Sequence, residues 1–292
     1  MGNTEAPRCY TRGRWAGQRY FLETAGVIAA APALDLASAQ NTATTPSMAV
    51  EKDVVFGKGG ALDLRLDIYK PRPGTEKRAA TIHLHGGGFS GGNKEQLSER
   101  ILPYARAGYT AISADYRLTG QGSWPAMIED VKAAIRWTRA NAGRLGIDPA
   151  RISVVGYSAG GYLALTAAGT PNRAELEGSG GNAGVPTQVA ACVGYYAVTE
   201  KGPPPSPAAA SYVSASYPPT VLFHGVADTT VPIESSQRFF QLLRDTKVPS
   251  EFHSFAGVAH VFDSQPDLAQ VCGQIADVFI TRHVLNPRPA TA

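Results

Sequence analysis

Eight runs of strand character punctuate the chain between residues 50 and 257, and most of the later ones are separated by stretches with a helical period. They read VEKDVVF (50–56), ALDLRLDIY (61–69), ATIHLHG (80–86), TAISADY (110–116), ISVVGYS (152–158), QVAACVGYYAV (188–198), TVLFHG (220–225) and SEFHSFAG (250–257). Several are apolar without alternation, as strands buried on both faces must be. Between them, Ile128, Val131 and Ile135 recur at three- and four-residue spacing behind Ser123 and Pro125, and Gly143 and Gly146 are placed to end that helix. The C-terminal half repeats the pattern, with IESSQRFFQLLRDTK before one strand and DLAQVCGQIADVFITRHV after it. Parallel neighbours need helical crossovers, so the alternation predicts an α/β fold: a mostly parallel eight-stranded sheet with helices on both faces. Residues 50–286 suit one domain of this kind, with 40–49 as a linker and 287–292 as a tail.

Within that frame, ISVVGYSAGGYLALTAA (152–168) places Ser158 between a strand and a small-residue helix. Gly156 and Gly160 supply the permissive positions of a nucleophile elbow, a turn that raises a serine above the sheet. A serine hydroxyl is a poor nucleophile at neutral pH unless a histidine accepts its proton and a carboxylate orients that histidine. The chain order required in such a fold is serine, acid, histidine. Asp228 follows one late strand and His260 follows the next, both at carboxyl ends where open α/β sheets hold their ligands. Asp263 is the rival acid, but its place suits capping of the last helix. His224 and His253 lie inside strand-like runs, where a structural role is expected, and His283 lies in the tail.

Acyl transfer also needs donors for an oxyanion. The run HLHGGGFSGGNKE (83–95) follows a strand and offers Gly86, Gly87 and Gly88, where the backbone can approach a substrate with no Cβ in the way. It lacks the spacing of a phosphate-binding P-loop and of a dinucleotide fingerprint. His85 is expected to brace this loop.

The order HGGGF, DYRL, WPAMIEDVKAAIRWTRANAGRLGIDPARISVVGYSAGG, HGVADTTVP and GVAH resembles the α/β-hydrolase esterase/lipase family, in particular its hormone-sensitive-lipase-like members and the small acetyl and feruloyl esterases that act on carbohydrate. The resemblance spans residues 50–284 and implies a serine carboxylester hydrolase with Ser158, Asp228 and His260 as its triad. It further implies that the amides of Gly87, Gly88 and Ala159 form the oxyanion hole, that Asp115 of DYR supports the site through a neighbouring turn, and that neither metal nor organic cofactor takes part. Where these relatives often carry a helical cap, residues 199–217 hold only a short proline-rich segment, so the cap is expected to be minimal or absent. Trp124, Tyr196, Tyr212 and Tyr217 are then candidates to line the opening. The substrate is expected to be a small-molecule or carbohydrate ester with a short acyl group. An N-formyl arylamine formamidase, an oligopeptidase-like serine peptidase and an inactive hydrolase fold kept for binding are the alternatives.

A formal charge of +3, with 23 basic and 21 acidic residues from Gln40 onward and no run of Lys or Arg, argues against nucleic acid or an anionic membrane as partner. Oligomeric state stays open. Cys192 and Cys272 can pair or remain two buried thiols. Residues 1–39 read as an export signal: a basic opening, an apolar stretch broken by Pro32 and Asp35, and an A-x-A end at Ala37, Ser38 and Ala39. The segment GQRYFLE is similar to a twin-arginine signal, although Gln18 stands where the first arginine belongs. An exported, bacterial location follows from that reading, and a cytoplasmic one if the segment is only an extension. Deleting residues 1–39 is expected to preserve specific ester hydrolysis, and intact-mass measurement of protein exported by a bacterial host should place cleavage after Ala39. A soluble, folded but inactive truncate would assign the segment to the site instead.

Overall fold

The apolar hexapeptide ISVVGY forms strand β5 (Ile152–Tyr157), every residue of it buried. A computed structural model describes residues 48–287 and surrounds this strand with neighbours in the order β1-β2-β4-β3-β5-β6-β7-β8. The strands are β1 (Val50–Gly59), β2 (Leu62–Tyr69), β3 (Ala80–Leu84), β4 (Thr110–Ala114), β6 (Ala191–Tyr195), β7 (Thr220–Gly225) and β8 (Ser250–Phe255). The β1/β2 and β2/β4 pairs are antiparallel and all later pairs are parallel. All eight strand-like runs of the sequence are therefore strands. The sixth is shorter than its apolar run, because Tyr196 turns out of the extended region at φ +36°. Residues 1–39, read above as an export signal, most of residues 40–49 and residues 288–292 lie outside the described residues.

Two-residue alternation along each strand divides the core between the faces. Ile82, Leu84, Val154 and Cys192 pack on one side, with helices α2 (Ala126–Ala140), α3 (Ala142–Leu145), α4 (Ala159–Gly169), α5 (Ala174–Glu177) and α6 (Ile233–Asp245). Val155, Tyr157, Val193, Tyr195 and Phe223 pack on the other, with α1 (Leu102–Arg106) and α7 (Pro266–Ile280). Cys192 and Cys272 belong to opposite faces, which is why both remain free thiols. Gly146, at φ +68°, closes α3 rather than α2.

Buried charge on the first face is paired. Lys132 and Arg136 of α2 both reach Glu177, at 2.8 and 2.9 Å. Removing one member would strand a charge in low dielectric.

Parallel register brings the carboxyl ends of the central strands level, with Leu84 opposite Gly156, Tyr157 opposite Tyr195 and Gly225 opposite Phe255. Four loops of interest leave from that edge. The sharpest joins β5 to α4. A Cβ on Gly156 would stand 2.1 Å from the Gly160 carbonyl oxygen, and a Cβ on Gly160 would stand 2.1 Å from that of Leu84. Since overpacking against backbone cannot relax by a rotamer change, Gly160→Ala is expected to cost about 2 kcal/mol. Gly143→Ala, on an exposed helical position with open space around it, should instead gain up to about 1 kcal/mol. Urea unfolding of both variants checks the contrast, and equal effects would refute it.

Candidate active site

The elbow places Ser158 at φ +54° and ψ −114°, a conformation rarely adopted by a residue with a side chain. Hydrogen bonds hold it there. Its amide donates to the Tyr195 carbonyl at 3.0 Å, and its carbonyl accepts from the amides of Tyr162 and Val198. The side chain is thereby lifted off the sheet toward His260, whose Nε2 lies 2.9 Å from Ser158 Oγ. On the other edge of the imidazole, Nδ1 lies 2.6 Å from Asp228 Oδ2. Ser158, His260 and Asp228 thus form one hydrogen-bonded chain, in which Nδ1 donates to the carboxylate and Nε2 is free to accept the serine proton.

Asp228 is buried, and its charge is well partnered. The amides of Thr230 and Val231 both donate to Oδ1 at 2.9 Å. His224, buried in β7, sets Nε2 3.2 Å from Asp228 Oδ2 and 2.9 Å from the Val231 carbonyl, while its Nδ1 meets Ser236 Oγ at 2.7 Å. Two acceptors at Nε2 place the proton there, so this ring donates toward the acid and accepts from the serine hydroxyl. Burial pushes the His224 imidazole below its ordinary pKa, which keeps the ring neutral. Its sequence position inside a strand concealed this. The i, i+4 spacing from His224 to Asp228 was the available signal.

The loop after β3 runs beside the serine. Gly87 at φ +118° and Gly88 at φ +61° turn the chain, and a Cβ on Gly87 would stand 2.0 Å from the Gly91 carbonyl oxygen. Among the described residues, the amides of Gly87, Gly88 and Ala159 donate to no backbone acceptor outside their own element. Ala159 is the first residue of α4, so its amide also lies at the positive end of a helix dipole. His85 braces the loop: Nδ1 donates to the Gly86 carbonyl, and the ring stacks on Tyr116 at 4.3 Å. Tyr116 Oη in turn donates to the His85 carbonyl. Asp115 accepts from the Lys94 amide in the adjoining turn, and burial lifts its carboxyl to about 6.

A cavity of about 700 Å³ opens over Ser158 between Gly86–Gly88, Phe89, Tyr196, Val231 and His260. Of the four aromatic candidates for its wall, only Tyr196 lines it. Trp124 packs edge-on against Tyr162, Tyr212 lies under the Arg173 guanidinium, and Tyr217 packs on Phe239 with its hydroxyl donating to the Leu165 carbonyl. Tyr212 and Tyr217 are turned away because residues 199–217 fold back along α4, and Trp124, in the loop before α2, packs on Tyr162 instead. Tyr162 Oη fastens that segment by donating to the Pro207 carbonyl. No residue of 199–217 reaches the cavity, and the only helical turn in the segment is Ala209–Tyr212.

Asp263 does not cap the last helix, which starts at Pro266 behind Gln265. The carboxylate is buried in the turn Phe262–Ser264 and accepts from Tyr196 Oη at 2.5 Å. Burial raises its pKa, and Arg100, with Nε 3.5 Å from Oδ2, opposes the rise. The Tyr196 ring meets His260 edge to face at 4.5 Å. Asp263 therefore lies behind the wall of the site and does not touch the histidine's nitrogens.

Residues 66–203 match the BD-FAE family, and residues 204–282 match the prolyl oligopeptidase family. The probable carboxylic ester hydrolase LipM of Mycobacterium tuberculosis is 28% identical over 82% of this chain, and the esterase LipQ of the same organism is 30% identical over 70%. The chain spans 64% and 56% of those two proteins. Among solved structures, a thermophilic esterase of Thermogutta terrifontis with propionate bound superposes with a TM-score of 0.72 at 28% identity, covering 85% of this chain and 98% of that one. A truncated carbohydrate esterase from gut microbiota does so with a TM-score of 0.67 at 25% identity, covering 77% and 96%.

If the hydrogen-bonded chain activates Ser158, a fluorophosphonate should add one mass adduct, located at Ser158 by peptide mapping. Asp228→Asn is expected to slow that labelling by on the order of a thousandfold or more, since the imidazole loses its orientation. Asp263→Asn should slow it far less. A reversed order would give Asp263 the role of acid.

Proposed function

The chain belongs to the α/β-hydrolase esterase/lipase family, and from that premise we propose that it is a serine carboxylester hydrolase that cleaves short-acyl esters through an acyl-enzyme. The observation that carries this reading is the unbroken chain from Ser158 Oγ through His260 to Asp228, beside three amides that donate to no backbone acceptor outside their own element among the described residues. His260 Nε2 takes the proton as Ser158 Oγ attacks the acyl carbonyl. The amides of Gly87, Gly88 and Ala159 hold the developing oxyanion, and Asp228 stabilises the imidazolium. The imidazolium then protonates the leaving alcohol. Water repeats the sequence on the acyl-serine and releases the acid.

The open entrance bears on substrate. A buried methylene is worth about 0.8 kcal/mol only where a wall receives it, and the segment that could form a lid lies flat along α4. Acyl chains beyond butyryl therefore gain little, while a bulky alcohol such as an acetylated or feruloylated carbohydrate can approach. The similar esterase of Thermogutta terrifontis has been solved with propionate bound and with butyrate bound, which supports a short acyl group here. The match of residues 204–282 to the prolyl oligopeptidase family covers Asp228 and His260; a peptide substrate belongs in the test for that reason.

With Ser158→Ala as the blank, p-nitrophenyl esters of rising length run beside acetylated xylan, methyl ferulate, an N-formyl arylamine and a blocked peptide anilide test the proposal. We expect kcat/KM to peak between acetyl and butyryl and to fall at least about tenfold at octanoyl, the factor for roughly 1.4 kcal/mol. A profile still rising at octanoyl would mean that an acyl tunnel exists, and faster cleavage of an amide than of any ester would overturn the esterase reading.

A further inference from the structure

The cavity over Ser158 carries one permanent cation. Arg100 lines it, and its guanidinium lies 6.0 Å from the ring centroid of Tyr157, the residue before the serine. No carboxylate lines that cavity among the described residues; the other ionisable groups on its wall are Tyr157, Tyr196 and His260. Asp228 and Asp263 sit behind the wall, each already engaged.

The anchoring of Arg100 is one-sided. Its only carboxylate neighbour among the described residues is Asp263, reached from Nε at 3.5 Å, beyond a well-formed charged hydrogen bond. No acceptor among the described residues is hydrogen-bonded to either Nη. Asp263 gives Oδ1 to Tyr196 and leaves Oδ2 buried without a hydrogen-bond partner. The carboxylate thus faces the Nε edge of the guanidinium at ion-pair distance without a hydrogen bond, and the fork of Nη donors that suits a carboxylate bidentately stays unused.

We propose that Arg100 is a specificity-determining residue that binds a carboxylate carried by the substrate, so that the preferred esters are anionic: half-esters of short dicarboxylic acids, or short-acyl esters of hydroxy acids. The inference rests on the esterase reading and adds to it the charge of the substrate. An anion bound at Arg100 meets no competing carboxylate on the cavity wall among the described residues, and Arg100 and Ser158 line the same cavity. Ester cleavage itself is unchanged: the substrate carboxylate keeps its charge, and water supplies the oxygen of the new acid.

Pairs of substrates alike in shape but not in charge test this. Ethyl hydrogen succinate is set against ethyl 4-methylpentanoate for a carboxylate on the acid half, and acetoxyacetate against isobutyl acetate for one on the alcohol half. Hydrolysis is followed by pH-stat titration at low salt. In Arg100→Met, the ratio of kcat/KM for the anionic ester to that for its neutral twin is expected to fall at least about tenfold in one pair, and that pair identifies the half of the substrate that is bound. Arg100→Lys should give an intermediate ratio, since it keeps the charge and loses the fork. Because Arg100→Met leaves Asp263 without its cation, the double variant Arg100→Met/Asp263→Asn is measured as well. The low ratio should persist there, whereas a ratio restored to the wild-type value would show that Arg100 serves only Asp263 and would overturn the proposal. Ratios unchanged in both pairs would also overturn it. A wild-type protein inert toward all four esters and toward the p-nitrophenyl series would instead remove the esterase reading beneath it.

Discussion

The close contact between the β5–α4 turn and the end of β3 is the constraint from which the rest of the site follows. Gly160 lies so near the carbonyls of Leu84 and His85 that no side chain fits, and Gly156 is pressed in the same way against Gly160. This packing brings the start of α4 down onto the sheet and forces Ser158 into the left-handed region at φ +54°. Backbone of that kind costs on the order of 1–3 kcal/mol and persists only where its surroundings over-determine it. Here the surroundings are three backbone hydrogen bonds, from Ser158 to Tyr195 and from Tyr162 and Val198 to Ser158. One strained residue thereby presents its hydroxyl to His260 and leaves the Ala159 amide facing the same cavity as Gly87 and Gly88.

The second constraint is electrostatic. A carboxylate buried as deeply as Asp228 is costly unless each oxygen is partnered. Two amides and two imidazoles supply the partners, and their low-dielectric setting makes each contact more directional than it would be in water. His224 belongs to this set because its ring bridges Ser236 of α6 and the loop that carries Asp228. Behind His260 lies a second buried acid, Asp263, joined to the site through the Tyr196 hydroxyl and to the cavity wall through Arg100. Two carboxylates close in sequence to the histidine in one case, and to the preceding strand in the other, thus take distinct roles: one touches the imidazole and the other holds an aromatic ring and a guanidinium beside it.

Much of this was legible in the residues. Apolar runs with strand composition, helical spacing between them and glycines at the turns are local signals, decided by side-chain periodicity and backbone sterics within a few residues. They sufficed for the eight strands, the parallel sheet, the elbow at Ser158 and the glycine loop at 86–88. The order of serine, acid and histidine was readable for a related reason: a parallel sheet places every strand's carboxyl end on one edge, so residues just past those ends converge however far apart they stand in the chain. What tertiary structure alone decided was which other side chains reach that edge. Tyr196 lines the cavity while Tyr212 and Tyr217 do not, because residues 199–217 fasten to α4 through Tyr162 instead of arching over the serine, and Trp124 packs on Tyr162 outside it. Asp263 became a buried partner of Tyr196 rather than a helix cap, His224 became a donor to the acid, and Arg100 came to stand over Tyr157. Each of these depends on contacts between elements distant in sequence, and burial, the quantity that sets their hydrogen bonding and charge, exists only once the sheet and its two helical layers have closed on one another.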